Sequence, residues 1–143
     1  MTQTDQKSLM WPLIFAYRET ILGQGFLAEI TLRGRVLASP ESDGVWVYGV
    51  NPGAIAVGAP TLGDTHGELR NALHRLFIDF AQEAGTFDDF KETIERFVGE
   101  SDPETQQEWD MARASVRAGN VSVPSDLPRE TSEAQYFVQV TTA

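Results

Sequence analysis

The chain has 143 residues, of which 21 are acidic and 11 are basic, and its formal net charge at pH 7 is −10. A chain of this length folds as one domain and buries roughly 70% of the surface that its unfolded form exposes. A hydrophobic content of 41% supplies the core, so a wholly disordered chain is excluded. The acidity disfavours nucleic acid and anionic membranes as partners, because both require clustered lysine and arginine. The absence of cysteine excludes disulfides, thiol catalysis and cysteine zinc sites.

The N-terminal region carries no targeting signal that we can identify. The apolar run over residues 9–17 is too short to cross a bilayer. Only one lysine precedes this run and no small-residue cleavage pattern follows it, so a signal peptide is not expected. We therefore predict a cytoplasmic protein whose residues 1–10 form a disordered N-terminus.

The next part of the chain has the pattern of an antiparallel β-meander. Apolar and polar side chains alternate from residue 26 to residue 32, as in a strand with one buried face, and the strand continues to residue 38. Asp43-Gly44 supplies hairpin chemistry before an aromatic and β-branched strand over residues 45–50. A proline turn then leads to a weaker third strand over residues 54–59.

Two aromatic residues, Trp46 and Tyr48, project to the same side of the second strand of this meander. Large aromatic side chains bury much apolar surface, so core packing is the favoured interpretation of the pair. A binding platform for a ligand or a partner is the alternative.

The hydrophobic period changes to that of a helix at residue 65. Thr65 and Glu68 have the spacing of a capping box. Apolar residues then recur at intervals of three and four, which predicts a long helix over residues 65–84 that covers one face of the meander. Thr86 caps a second amphipathic helix that ends at Gly99.

A third helix is predicted to begin at Asp102-Pro103, because aspartate is a good cap and proline is favoured at the first helical position. It extends to residue 118. Its apolar stripe is thin and consists only of Trp109, Ala112 and Val116. Such a helix packs marginally on its own chain or completes its packing on a partner.

The remaining residues complete the predicted organisation. Residues 120–132 contain two prolines and no periodicity, as in a linker, and residues 134–140 alternate like a final strand. The expected fold class is α+β, with a three- or four-stranded antiparallel meander, one long helix on one face and two additional helices. The expected division is an α+β domain over residues 11–100, an acidic helix over residues 101–119, and a linker with a sheet-completing strand over residues 120–143.

The sequence contains no recognisable catalytic or metal-binding constellation. Its two histidines, His66 and His74, are eight residues apart, which is not the spacing that places two ligands on one metal. Both are interpreted as surface histidines. Asp64 and His66 would bind a divalent ion only with further ligands. We therefore predict no catalytic residue, no metal and no cofactor, and we keep a small metal-dependent hydrolase as an alternative.

Negative charge is concentrated in the helical half, where residues 64–143 contain sixteen acidic and seven basic side chains. Solvated helix faces account for most such acids. The functional alternative is an acidic surface that binds a basic protein, with an aromatic side chain as its anchor. The candidate partner-binding residues are Asp88, Asp89, Glu92, Glu100, Asp102, Glu104, Glu108 and Trp109.

A particular order of motifs occupies residues 26–84. Asp43-Gly44 opens the aromatic strand, a proline turn and a third strand follow, and Gly63-Asp64-Thr65 leads into a helix that carries Glu68-Leu69 and Asn71-Ala72-Leu73. This order resembles the HicB-like antitoxin family. The resemblance implies a β-β-β-α-β unit, described as a degenerate RNase H-like fold, that binds a partner protein without catalysing a reaction.

The resemblance extends only to partner binding. No operator-binding segment of the kind typical of the family is identifiable after residue 84, and the third helix is acidic where DNA contact requires bases. The resulting prediction is a non-enzymatic module that neutralises a basic, RNA-binding toxin through its acidic surface. A structural or adaptor subunit of a larger assembly is the alternative from another class, and a homo-oligomer is compatible with both.

Overall fold

The computed structural model describes residues 10–119 and 135–143. It confirms the α+β class, with an antiparallel sheet of five strands rather than three or four and with three helices. The strands are β1 (Trp11–Leu22), β2 (Leu27–Glu41), β3 (Gly44–Asn51), β4 (Ala56–Ala59) and β5 (Phe137–Thr142), and the helices are α1 (Leu62–Glu83), α2 (Phe87–Gly99) and α3 (Pro103–Arg117). The predicted linker over residues 120–132 lies outside the described residues. The predicted disordered N-terminus over residues 1–10 also lies outside them except for Met10, which is half-buried and packs against a buried cluster.

The long strand β2 organises the sheet. One of its edges pairs with β1 from Trp11 opposite Ala38 to Leu22 opposite Leu27. Its other edge is shared, because β5 pairs with residues 28–33 and β3 pairs with residues 35–41. β4 adds to the outer edge of β3. The predicted C-terminal strand therefore does complete the sheet.

The strand that the sequence pattern did not separate is β1. Leu13, Phe15 and Tyr17 point into the main core, whereas Ile14 packs on the opposite face. Because both faces of β1 are covered at this point, its sequence is continuously apolar rather than alternating.

The main core lies between one face of the sheet and the helices α1 and α2. Both helices contribute stripes of side chains that are almost completely buried. The ring of Tyr17 meets that of Phe77 edge to face at 5.6 Å. The buried residues of the two stripes are Leu69, Leu73, Phe77, Phe90, Ile94 and Val98.

Helix α1 begins one turn earlier than the capping box predicts. Thr61 is the cap, and its hydroxyl accepts a hydrogen bond from the Asp64 N–H at 3.1 Å. Thr65 lies inside the first turn and is completely buried. Its Oγ1 lies 2.7 Å from the Val45 carbonyl oxygen and 2.9 Å from the Thr61 carbonyl oxygen. The prediction of Thr65 as the cap was wrong because this hydroxyl fastens the helix to β3 instead.

The other two helices have the caps that the sequence predicts. The Thr86 hydroxyl accepts from the Asp89 N–H, and the Asp102 carboxylate accepts from the Thr105 N–H. α3 ends before Gly119, whose φ of +80° is readily adopted by glycine. In the part of the chain that the structure describes, no helix is long and apolar enough to span a membrane.

Helix α3 packs on the face of the sheet opposite to α1 and α2, and not alongside them. Its Trp109 and Ala112 form a second buried cluster with Leu37 and Val50. Helices therefore cover both faces of the central strands. Trp109 and Ala112 of the thin apolar stripe are buried against the chain's own sheet, whereas Val116 is only half-buried.

Candidate functional site

A hydrogen-bonded group around Arg35 fixes α3 against the sheet. The Arg35 Nε donates to Asn51 Oδ1 at 2.8 Å, and its Nη2 donates to Gln106 Oε1 at 2.8 Å. The Asn51 side chain in turn donates to the Val98 carbonyl. Burial lowers the pKa of Arg35, and the nearby Asp110 carboxylate opposes that shift. β2, β3, α2 and α3 thus meet at one polar group.

Trp109 was predicted to be the apolar anchor of a partner-binding surface. It is instead completely buried, and the Arg35 guanidinium lies 5.4 Å from the centre of its ring. The prediction of an exposed anchor at this residue is therefore corrected, because β2 and β3 provide the apolar surface that the ring requires. Met111, two residues later, is 63% exposed.

The aromatic pair on β3 is half-buried and lies outside the two buried clusters. Because Val47 points into the main core, Trp46 and Tyr48 project to the opposite face, on the side of α3. Both side chains are half-buried, and their rings stack with centres 6.4 Å apart and planes 18° apart. The Trp46 ring covers Gly58 of β4. Because the pair lies outside both buried clusters, core packing is not confirmed, and the binding platform stays a prediction.

Carboxylates border this aromatic pair. The Tyr48 hydroxyl donates to Glu41 Oε2 at 2.9 Å. Burial raises the pKa of Tyr48, the hydrogen bond to Glu41 raises it further, and so do the negative charges of Glu41, Asp43 and Glu108. The three carboxylates therefore all raise the pKa of the same hydroxyl group, that of Tyr48. We call this surface the aromatic–acidic ledge and define it by Trp46, Tyr48, Glu41, Asp43 and Glu108.

Four of the sequence-predicted acids lie on α3 or in the connection that leads into it. Glu108 belongs to the aromatic–acidic ledge, and Glu104 lies one turn earlier on the same side of α3. Glu100 and Asp102 are exposed where α2 leads into α3, and the Glu100 carbonyl accepts from the Gly53 N–H at 3.0 Å. Of these four acids only Glu108 acts on Tyr48, so the ledge includes one of the seven predicted acids.

The other three predicted acids lie elsewhere. Asp88 and Asp89 are exposed in the first turn of α2. At a helical rise of about 1.5 Å per residue, they are roughly 17 Å from the end of that helix. Glu92 is paired with Arg96 on the helix surface at 2.9 Å. The seven predicted acids therefore do not form one surface.

Two acids of the ledge were not predicted as functional residues. Glu41 ends β2 and Asp43 lies in the turn that leads to β3. The predicted hairpin was the sequence feature that could have placed these two acids beside the aromatic pair. A tight turn returns the chain beside the strand that it has just left, so acids in the turn come close to the first aromatic residues of β3.

The two histidines lie in separate surroundings. His74 Nδ1 is hydrogen-bonded to Glu19, which also accepts from the Tyr17 hydroxyl. His66 borders an apolar cavity at the start of α1, and burial together with the positive charge of Arg70 lowers its pKa. Within residues 10–119 and 135–143, no three histidine, aspartate or glutamate side chains form a group that could hold a metal ion.

The aromatic–acidic ledge has the chemistry to bind cationic side chains. A guanidinium or ammonium group is attracted to the face of tryptophan or tyrosine, and a neighbouring carboxylate adds an ion pair. Aromatic residues with one wet and one buried side are also frequent anchors of protein interfaces. The ledge therefore suits arginine or lysine side chains presented by a protein surface.

We compared the chain with protein-family models, with curated proteins and with solved structures. None of these comparisons gives a match.

Proposed function

We propose that this chain is a non-enzymatic protein-binding module that neutralises a basic, RNA-binding partner, the role implied by its resemblance to HicB-like antitoxins. The aromatic–acidic ledge is the observation that carries the proposal. There Trp46 and Tyr48 stack outside the two buried clusters, and the charges acting on Tyr48 come from Glu41, Asp43 and Glu108. The net charge of −10 attracts a basic partner over a longer range.

Neutralisation works by occupation of the surface that RNA would use. A protein that binds RNA presents arginine and lysine to phosphates. The carboxylates of the ledge take the positions of those phosphates, and the Trp46 and Tyr48 rings accept the flat guanidinium groups by stacking. The binding is therefore both electrostatic and aromatic, and it falls as salt is added.

A basic peptide tests the ledge directly. Hexa-arginine is titrated into the purified chain at low and high salt, and the affinity is measured by calorimetry. The triple variant Glu41→Gln, Asp43→Asn, Glu108→Gln is expected to bind about tenfold more weakly, since each exposed ion pair contributes up to about 1 kcal/mol. The matched control Asp88→Asn, Asp89→Asn, Glu92→Gln changes the total charge by the same amount and is expected to bind more tightly than the first variant.

Two results would contradict the ledge as the binding surface. The first is an equal loss of affinity in both triple variants, which would show that only total charge matters. The second is an affinity that does not change with salt. Replacing Trp46 with Leu separates the aromatic contribution, because the charge stays the same while the stacking surface is lost.

The antitoxin role has its own test in the cell. We expect a neighbouring gene to encode a short basic protein that arrests growth when it is expressed alone. Co-expression of this chain should restore growth, and the ledge variant should restore it less than the control variant. Equal rescue by both variants would argue against neutralisation through the ledge, and the absence of such a gene would argue against the antitoxin role altogether.

A further inference from the structure

The outer edge of β1 is the longest uncovered strand edge among the described residues. β1 pairs with β2 along twelve residues, and no described strand lies on its other side. Such an edge presents free N–H and C=O groups and invites pairing with another chain. Proteins normally block these edges with proline, charge or a covering side chain.

Two such blocks are present, and they leave a gap between them. The Ala16 carbonyl accepts a hydrogen bond from Arg70 Nη1 at 3.1 Å, so it points away from β2. Because outward and inward groups alternate in antiparallel pairs, Pro12, Ile14 and Arg18 face outward as well. Pro12 has no N–H to offer. Ile14 lies between these two blocks. Its N–H and C=O point outward, and neither Pro12 nor Arg70 blocks them.

An apolar cavity of about 240 Å³ opens at the same place. One wall is β1, where Leu13 and Phe15 belong to the main core while Ile14 packs on the other face. Ile14 lines the cavity although its side chain packs on the other face of the sheet. The cavity therefore extends to the outer edge of β1. The opposite wall is the first two turns of α1. The full lining is Leu13, Ile14, Phe15, Val36, Val47, Leu62, Gly63, His66 and Leu69.

We propose that this edge binds an extended segment of another protein by strand addition. The segment bonds to the Ile14 N–H and C=O and inserts one apolar side chain into the cavity, as in other complexes in which a peptide extends a sheet. This surface is distinct from the aromatic–acidic ledge, so the inference does not depend on the function proposed above.

A second copy of this chain does not fit as the occupant. The side chains that its own β1 would offer on this face, Leu13 and Phe15, are only 5% exposed because they fill the core of that copy. No apolar anchor would then be free to enter the cavity. The net charge of −10 on each copy also opposes their association.

The charge beside the cavity specifies the segment further. The Arg70 guanidinium lies over the Tyr17 ring, 5.2 Å from its centre, and Tyr17 follows Leu13 by four residues on the same face of β1. Glu19 is already bonded to Tyr17 and His74. The complementary segment therefore carries an acidic residue about four positions from its apolar anchor, a spacing that keeps both on one face of a strand.

Synthetic heptapeptides test this proposal in both chain directions. The probes are Thr-Leu-Thr-Thr-Thr-Glu-Thr and Thr-Glu-Thr-Thr-Thr-Leu-Thr, and the controls replace leucine with serine or glutamate with lysine. They are titrated into the isotope-labelled full chain and followed by NMR. We expect one direction to shift the Ile14 amide signal and to slow hydrogen exchange at Ile14, and we expect both controls to bind at least severalfold more weakly.

Two variants isolate the main-chain bond and the cavity. Ile14→Pro removes the outward N–H and should abolish peptide binding, whereas Thr20→Pro makes the same change at an outward position away from the cavity and should not. Leu62→Phe fills the cavity from α1 and should also abolish binding, which keeps the test valid if Ile14→Pro fails to fold.

Several results would overturn the proposal. They are binding of neither peptide direction, binding that survives both Ile14→Pro and Leu62→Phe, and a slowly exchanging Ile14 amide in the free chain, which would show that the edge is already covered. A dimer in light scattering that dissociates on Ile14→Pro would identify a second copy as the occupant and would equally refute it.

Discussion

The Arg35 guanidinium of β2 lies 5.4 Å from the centre of the Trp109 ring of α3. The contact joins a half-buried cation to the largest completely buried side chain of the described residues. Arg35 also donates to Asn51 and Gln106, so the ring is held against a hydrogen-bonded group rather than against aliphatic side chains alone. The position of α3, and with it that of Glu108 on the ledge, depends on this arrangement.

Truncation of this ring should be costly. Trp109→Ala is expected to reduce the free energy of unfolding by about 3 to 5 kcal/mol, because it leaves a cavity in the second cluster and removes the contact with Arg35. The measurement is urea unfolding followed by circular dichroism. Met111→Ala, a truncation of a 63% exposed side chain on the same helix, should change stability by no more than about 0.5 kcal/mol. Equal effects would show that Trp109 is not buried as described.

The buried hydroxyl of Thr65 should matter more than an exposed one in the same type of bond. Thr65→Val keeps the shape of the side chain but leaves the Val45 carbonyl without this partner, so we expect a loss of about 1 to 3 kcal/mol. The control is Thr93→Val, because the Thr93 hydroxyl also bonds a carbonyl four residues earlier but does so at the surface. Thermal unfolding of both variants distinguishes them, and a larger effect at Thr93 would contradict the prediction.

The pKa of His66 should respond to Arg70 and not to other cations of α1. Burial lowers this pKa first and the charge of Arg70 second, so the NMR titration midpoint should lie below the ordinary value of about 6.5. Arg70→Gln should raise the midpoint, and Arg75→Gln should leave it unchanged. A midpoint unaffected by Arg70→Gln would place the two side chains too far apart to interact.

The lowered pKa of His66 determines the direction in which the stability of the fold changes with pH. The folded chain holds the His66 proton less tightly than the unfolded chain, so acidification through pH 6.5 favours unfolding. Above that pH the imidazole is neutral in both states and contributes nothing. His66→Gln should therefore reduce the loss of melting temperature between pH 7.5 and pH 5, and an unchanged loss would count against the assignment.

A methyl group at Gly58 should weaken the ledge without changing its charge. A Cβ at this position would lie 2.4 Å from atoms of the Trp46 ring, so the ring must move. We expect Gly58→Ala to reduce hexa-arginine affinity about two- to fivefold, which corresponds to about 0.5 to 1 kcal/mol of cation–π energy. Gly67→Ala is the control, since a Cβ there meets nothing within 4 Å. It should leave affinity unchanged and stabilise helix α1 by up to about 1 kcal/mol.

Local chemistry explains which parts of the fold were predictable. The ends of α2 and α3 follow from Thr86, from Asp102-Pro103 and from Gly119, because caps and positive φ angles are decided within a few residues. The start of α1 was misplaced although its local signal was good. Thr61 and Thr65 are both competent caps, and only the distant Val45 carbonyl determines which of them stays buried inside the helix.

The amino-acid sequence by itself determined the α+β class, the alternation of the strands and the concentration of acids in the second half, since these depend on composition and period. Only the tertiary structure decided which face each element covers. It buried Trp109 between α3 and the sheet, left Trp46 and Tyr48 outside the buried clusters and separated the predicted acids into distant groups. Glu41 and Glu108 act on the same ring across 67 positions of sequence. No local hydrophobic period predicts this proximity, because it results from the packing of α3 onto strands that come much earlier in the sequence.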